Sequence, residues 1–138
     1  MEEGRIIKLS VYDGVKPFDL FEKDNLARYC RNDNYLYTLL LFKGYVTRCS
    51  EAKKKSYSRK IGKYHISMHL YEYNSGCRCV VLNSATCFSD DISYYLKKFR
   101  VDYNCIVISL LNTWHDGIYL FKDNRLIEAE RLYKVMEG

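Results

Sequence analysis

The chain has 138 residues, 48% of them hydrophobic, with 14 Tyr, 6 Phe, 7 Gly and a single Pro; that size and apolar content fit one folded domain and exclude a disordered or low-complexity chain. Its 22 Lys and Arg against 17 Asp and Glu give a formal charge of +5, too modest to define a nucleic-acid-binding protein by itself. The longest near-continuous apolar run, Tyr35 to Phe42, is far shorter than the roughly 20 residues that span a bilayer. The acidic start Met-Glu-Glu-Gly-Arg is unlike a secretory signal. The expectation is a cytoplasmic protein with no membrane partner, in which Cys30, Cys49, Cys77, Cys79, Cys87 and Cys105 stay reduced.

Residues 1–34 read as an amino-terminal extension packed on a main domain of residues 35–138. Within the extension, Arg5 to Tyr12 suits a strand, and Pro17 to Arg31, with Phe18, Phe21, Leu26 and Tyr29, suits an amphipathic helix. Tyr35 to Val46 reads as a central strand and Thr47 to Lys60 as a long basic loop. In Tyr64 to Tyr73 the alternation of Tyr64, Ile66, Met68 and Leu70 with polar residues fits a half-buried strand, while Ile66, Leu70 and Tyr73 also fit one helix face.

Cys77 to Leu82 follows the turn Asn74-Ser75-Gly76 as a short strand. Ser89 to Phe99 predicts a helix: Ser89 can cap, Asp90 and Asp91 suit the first turn, and Ile92, Tyr95, Leu96 and Phe99 share a face. Cys105 to Leu111, with only Ser109 polar, predicts a strand buried on both faces. Ile118 to Phe121 and Leu126 to Ile127 flank the turn Lys122-Asp123-Asn124-Arg125 as a hairpin. Ala129, Leu132, Tyr133 and Met136 predict a last helix. This alternation predicts an α/β fold, a three-layer sandwich with a mainly parallel central sheet and a small hairpin.

The polar turn at the carboxyl end of Cys105 to Leu111 then holds the positions where ligands and catalytic groups gather in open α/β sheets, namely Asn112, Thr113, Trp114, His115 and Asp116. The run Asn104-Cys-Ile-Val-Ile-Ser-Leu-Leu-Asn-Thr-Trp-His-Asp-Gly-Ile-Tyr-Leu-Phe-Lys-Asp-Asn124 resembles the caspase large-subunit segment in which an apolar strand ends in Ser-His-Gly before a Gly, a short strand and an Asp/Asn-Gly turn. Gly76 to Leu82 with the helix after it, and Glu128 to Met136, resemble the family's flanking elements.

The resemblance places Thr113 where the family has its catalytic His and Trp114 where it has the Gly serving the oxyanion hole. A Thr hydroxyl does not titrate near neutral pH and cannot act as that acid/base group. The nucleophile's strand has no counterpart after Met136, and Arg59-Lys60-Ile61-Gly62 is one residue too long for the family's Arg-x-Gly motif. The resemblance therefore implies a catalytically inactive caspase-like protein without a cofactor. It would modulate a cell-death or inflammatory protease pathway by contact with a caspase or its adaptor, through Trp114, His115 and Asp116.

Three other chemistries compete. Between Lys43 and Lys63 there are eight basic residues against the lone acid Glu51, and Lys53, Lys54, Lys55, Tyr57, Arg59, Lys60 and Lys63 form a possible nucleic-acid-binding loop, with Tyr64 able to stack a base. On a strand, His65, Ser67 and His69 project on one face, an arrangement that suits a small phosphoesterase. Cys77-x-Cys79, with Cys87 and the histidines as further ligands, departs from paired structural-zinc spacing, so no metal is expected.

Overall fold

The structure is a computed structural model and describes residues 4–14, 23–84 and 91–132. In chain order the elements are β1 (Arg5–Lys8), α1 (Lys23–Cys30), α2 (Asp33–Phe42), β2 (Glu51–Ile61), β3 (Tyr64–Tyr73), β4 (Arg78–Ser84), α3 (Ile92–Lys98), β5 (Cys105–Leu110), β6 (Gly117–Lys122) and β7 (Arg125–Arg131).

The seven strands form one sheet in sequence order. Every neighbouring pair is antiparallel except β4 and β5. That parallel pair is joined by the crossover containing α3, as a parallel pair requires, whereas antiparallel neighbours can close with tight turns. Two such turns are read directly from the residues. Gly62, at φ +63°, leads the two-residue turn between Ile61 and Tyr64. Asp123 and Asn124 both adopt positive φ, 53° and 60°, between Lys122 and Arg125, a conformation Asp and Asn tolerate better than other side chains.

The expected mainly parallel sandwich is therefore corrected to a mainly antiparallel mixed sheet. Two segments account for the difference. Tyr35 to Phe42 is helical: Asn32 caps it, its side chain accepting from the amides of Asn34 and Tyr35, and its leucines favour helix. Leu36 to Leu40 are all buried, and such a helix shows no amphipathic period to distinguish it from a buried strand.

The segment expected as a basic loop is β2. It pairs with β3 from Ala52 opposite Tyr73 to Ile61 opposite Tyr64. On its other side β1 covers only Glu51 to Lys54, so among the described strands Lys55 to Ile61 is a sheet edge. Charged side chains on an edge discourage pairing with other chains, which gives the basic run a structural role. At the far end, Ala129 to Arg131 belong to β7 rather than to a helix, because Glu130 pairs with Ile118 and Arg131 with Gly117. Tyr133 and Met136 lie outside the described residues, as do Pro17, Phe18, Phe21, Cys87, Ser89 and Asp90.

Helices cover both faces of the sheet. On one, Leu26 of α1 and Leu36, Tyr37, Leu39 and Leu40 of α2 meet Tyr71, Tyr73, Cys79, Val81, Ile106 and Ile108. On the other, Ile92, Tyr95, Leu96 and Phe99 on and just beyond α3 meet Ile66, Met68, Leu70, Val80, Leu82 and Val107. β5 is buried throughout, as its sequence predicts. The described residues among 1–34 contribute to the same body: β1 joins the sheet, and Leu26 is fully buried. Asp91 caps α3 by accepting from Tyr94 N. No helix among the described residues is long and apolar enough to cross a membrane.

Candidate anion-binding cleft

Side chains alternate along a strand, so opposed residues on adjacent strands share a face and form rows across the sheet. On the face covered by α1 and α2 these rows change character along β4 and β5. The innermost row is apolar, with Ala52 opposite Tyr73. Next come Lys54, Tyr71, Cys79 and Ile106, then Ser56, His69, Val81 and Ile108, then Ser58, Ser67, Asn83 and Leu110. The last row stands at the carboxyl ends of the parallel pair. Where α2 covers the sheet the rows supply core; toward that edge they become hydroxyl and amide groups.

A cleft of about 480 Å³ opens there, lined by Ala27 of α1, Arg31 just beyond that helix, Ser58, His65, Ile66, Ser67, Asn83, Ser84, Leu110 and Asn112. A second chamber of about 260 Å³ lies deeper, with Cys30, Lys54, His69, Tyr71 and Val81 in its walls. Ala27, Arg31, Asn83 and Leu110 line both, so the two adjoin. None of the described lining residues is a carboxylate.

Polar contacts fix the inner chamber. Ser56 Oγ lies 2.8 Å from His69 Nδ1, holding the ring from the neighbouring strand. Asp33 Oδ1 accepts from Lys54 Nζ at 2.9 Å and from Tyr71 Oη at 2.8 Å. Burial pushes the Tyr71 hydroxyl well above the usual tyrosine range, with the charge of Asp33 and the hydrogen bond to it acting in the same direction. Tyr71 is therefore a fixed donor near neutral pH, and much of the charge of Lys54 is answered locally by Asp33.

The turn after β5 is organised by Asp116, which is fully buried. Its carboxylate accepts from Leu111 N at 3.0 Å, Asn112 N at 2.9 Å and Ser109 Oγ at 3.2 Å, with Thr113 Oγ1 at 3.4 Å. Of the turn residues expected to carry function, Asn112 reaches the cleft. Thr113 is buried, and its Oγ1 also accepts from His115 N. Trp114 is 70% exposed. His115 is half-buried, and its carbonyl accepts from Tyr119 Oη. Asp116 cannot present a contact surface to a partner, because its carboxylate is turned inward to the backbone.

The strand geometry of β3 places His65, Ser67 and His69 on one face, as the alternation predicts, and all three reach the adjoining cavities. At about 3.3 Å per residue, however, His65 and His69 are separated by roughly 13 Å along the strand, too far to act together on one phosphorus. The basic set is divided by the same alternation. Lys54 and Lys60 share the cleft face, while Lys53, Lys55, Tyr57 and Arg59 point to the α3 side. There Lys55 Nζ lies 3.8 Å from Glu72, and Arg59 donates to the carbonyl of Lys98 and packs on Phe99. Lys63 Nζ sits over the Tyr64 ring.

Cys77 and Cys79 lie on the α1/α2 face, Cys79 in the core and Cys77 against it, and the described residues contain no group of three or more metal-ligating side chains. Sequence reading missed Arg31, Ser58, Asn83 and Ser84. Their only local signal is the polarity of Asn83 and Ser84 at the end of an apolar strand; their association depends on strand register. No protein-family model, no curated protein and no solved structure matches this chain.

Proposed function

We propose that the protein binds a small anionic molecule in the cleft between α1 and the carboxyl edge of β4 and β5. The observation that carries this is the row Ser58, Ser67 and Asn83 beside Arg31, in a cleft of about 480 Å³ whose described walls hold cationic, hydroxyl and amide groups without a carboxylate. Small-molecule sites commonly have volumes of about 300–1,000 Å³ and a few convergent polar groups. Guanidinium supplies a permanent charge and several donors for an oxyanion. The cleft also occupies the carboxyl edge of a parallel pair, where ligands favour open sheets. The mainly antiparallel sheet removes the architectural part of the caspase-like expectation, so this reading does not build on it.

Calorimetric titration with inorganic pyrophosphate tests the proposal. Arg31→Ala should weaken binding about tenfold, equivalent to about 1.4 kcal/mol, while the thermal midpoint stays unchanged. Undiminished binding by that variant, or no binding of the anion by the unaltered protein, contradicts the proposal.

A second reading is favoured by the exposure of Trp114. A tryptophan 70% exposed on a turn suits an anchor for a protein partner, the type of contact implied by the caspase-like resemblance. Purified caspases and adaptors offered to the protein test it: retention lost on Trp114→Ala supports the contact, and no retention by the unaltered protein rejects it.

A further inference from the structure

We infer that the ligand of this cleft is a phosphorylated polyol, in chemical class a sugar phosphate, and not a nucleotide; the inference rests on the anion-binding reading above. The cleft face carries two hydroxyl side chains, Ser58 and Ser67, and the amide of Asn83, with Asn112 at the rim. Hydroxyls and amides both donate and accept hydrogen bonds, which complements a ligand whose own hydroxyls do the same. A simple anion needs donors alone.

The charged groups are placed differently. Arg31 stands in the wall shared by the two cavities, while Lys54 in the inner chamber is already engaged by Asp33 at 2.9 Å. The phosphate is thereby directed to the Arg31 boundary and the hydroxyl-bearing chain to the serine and asparagine row. Ala27 and Leu110 offer apolar surface for the C–H side of such a chain.

Size and surface discriminate against the alternatives. At about 30 Å³ per water-sized volume, a cleft of about 480 Å³ holds roughly sixteen such volumes, more than inorganic phosphate occupies and enough for a hexose phosphate. Nucleobases are commonly held on the broad faces of Tyr, Trp or Phe, and none of these is among the described residues lining the outer cleft, whose one aromatic ring is the smaller imidazole of His65. Tyr71 belongs to the inner chamber, where its hydroxyl is committed to Asp33.

Calorimetric titration with a hexose phosphate, the parent hexose, inorganic phosphate and adenosine monophosphate tests the inference. The hexose phosphate should bind about tenfold more tightly than each of the other three. Ser67→Val, which removes the hydroxyl and suits a strand, should reduce hexose phosphate binding severalfold without changing binding of inorganic phosphate, and Arg31→Ala should weaken both. Asn83→Ala, at an exposed position, provides the same contrast should Ser67→Val lower the thermal midpoint. Tighter binding of adenosine monophosphate, or equal loss of hexose phosphate and inorganic phosphate on removing the Ser67 hydroxyl and the Asn83 amide, overturns the sugar phosphate assignment and leaves anion binding standing. Failure of every anion to bind overturns both.

Discussion

The side-chain amide of Asn112 donates to the backbone carbonyl of Ser84 at 3.0 Å, so the carboxyl ends of β4 and β5 are tied together at the rim of the cleft. Asn112 holds φ at 64°, in the left-handed region that Asn tolerates and Ala does not favour. Asn112→Ala therefore loses both the clamp and the backbone preference and should cost about 1–3 kcal/mol. Asn112→Gly keeps the backbone freedom and should recover part of that stability while still loosening the rim. Chemical denaturation of the two variants checks the order: the account expects Gly to be the more stable, and the reverse order contradicts the positive-φ argument.

Asp116 predicts a larger structural effect. Its buried carboxylate accepts from the amides of Leu111 and Asn112 and from the Ser109 hydroxyl, and its removal leaves those donors without an acceptor in a water-poor site. Asp116→Ala should destabilise the protein by about 2–4 kcal/mol. Thr113→Val should cost much less, since the Thr113 hydroxyl contacts that carboxylate at the long distance of 3.4 Å. Equal denaturation midpoints for Asp116→Ala and the unaltered protein would show that the turn does not depend on this carboxylate.

Alkaline pH should unfold the protein through its buried tyrosines. Burial, followed in effect by the charge of Glu128, raises the Tyr119 hydroxyl to about 12. Burial also raises Tyr71 and Tyr73. A tyrosine in the unfolded chain ionises near pH 10. Because the folded values are higher, the stability these groups contribute is fully present below about pH 10 and is lost as pH rises toward the folded values. Urea midpoints measured from pH 8 to pH 11 should be level at first and then fall. A midpoint that rises above pH 10 contradicts the sign of this linkage.

Local signals made part of the fold legible. The near-continuous apolar stretch of β5, the Asp123-Asn124 turn and the i, i+3, i+4 face of Ile92, Tyr95 and Leu96 each depend on neighbours in sequence, and the structure contains the corresponding strand, hairpin and helix. α2 was hidden because a helix buried on all sides loses its period. β2 was hidden because Lys53 to Lys55 and Ser56 to Lys60 have the composition of a loop; pairing with β3 and the use of charge on a sheet edge override that composition. Together these two segments account for the difference between the expected parallel sheet and the mainly antiparallel one.

The site was less legible than the fold. The shared face of His65, Ser67 and His69 followed from strand alternation, but Ser58, Asn83 and Arg31 come from β2, β4 and the turn after α1. Only register brings Ser58 opposite Ser67 and Ser67 opposite Asn83. The turn at Thr113 to Asp116 attracted functional expectation by its place at a strand end, yet Thr113 and Asp116 spend their polar atoms on the turn itself.

The most direct test of the cleft is residue-resolved. Amide chemical shifts of the isotopically labelled protein should be followed while a hexose phosphate is added. The account predicts saturating shifts at Arg31, Ser58, Ser67, Asn83 and Asn112. Shifts centred on Lys53, Lys55 and Arg59 on the opposite face, or no saturating shifts at all, would contradict it.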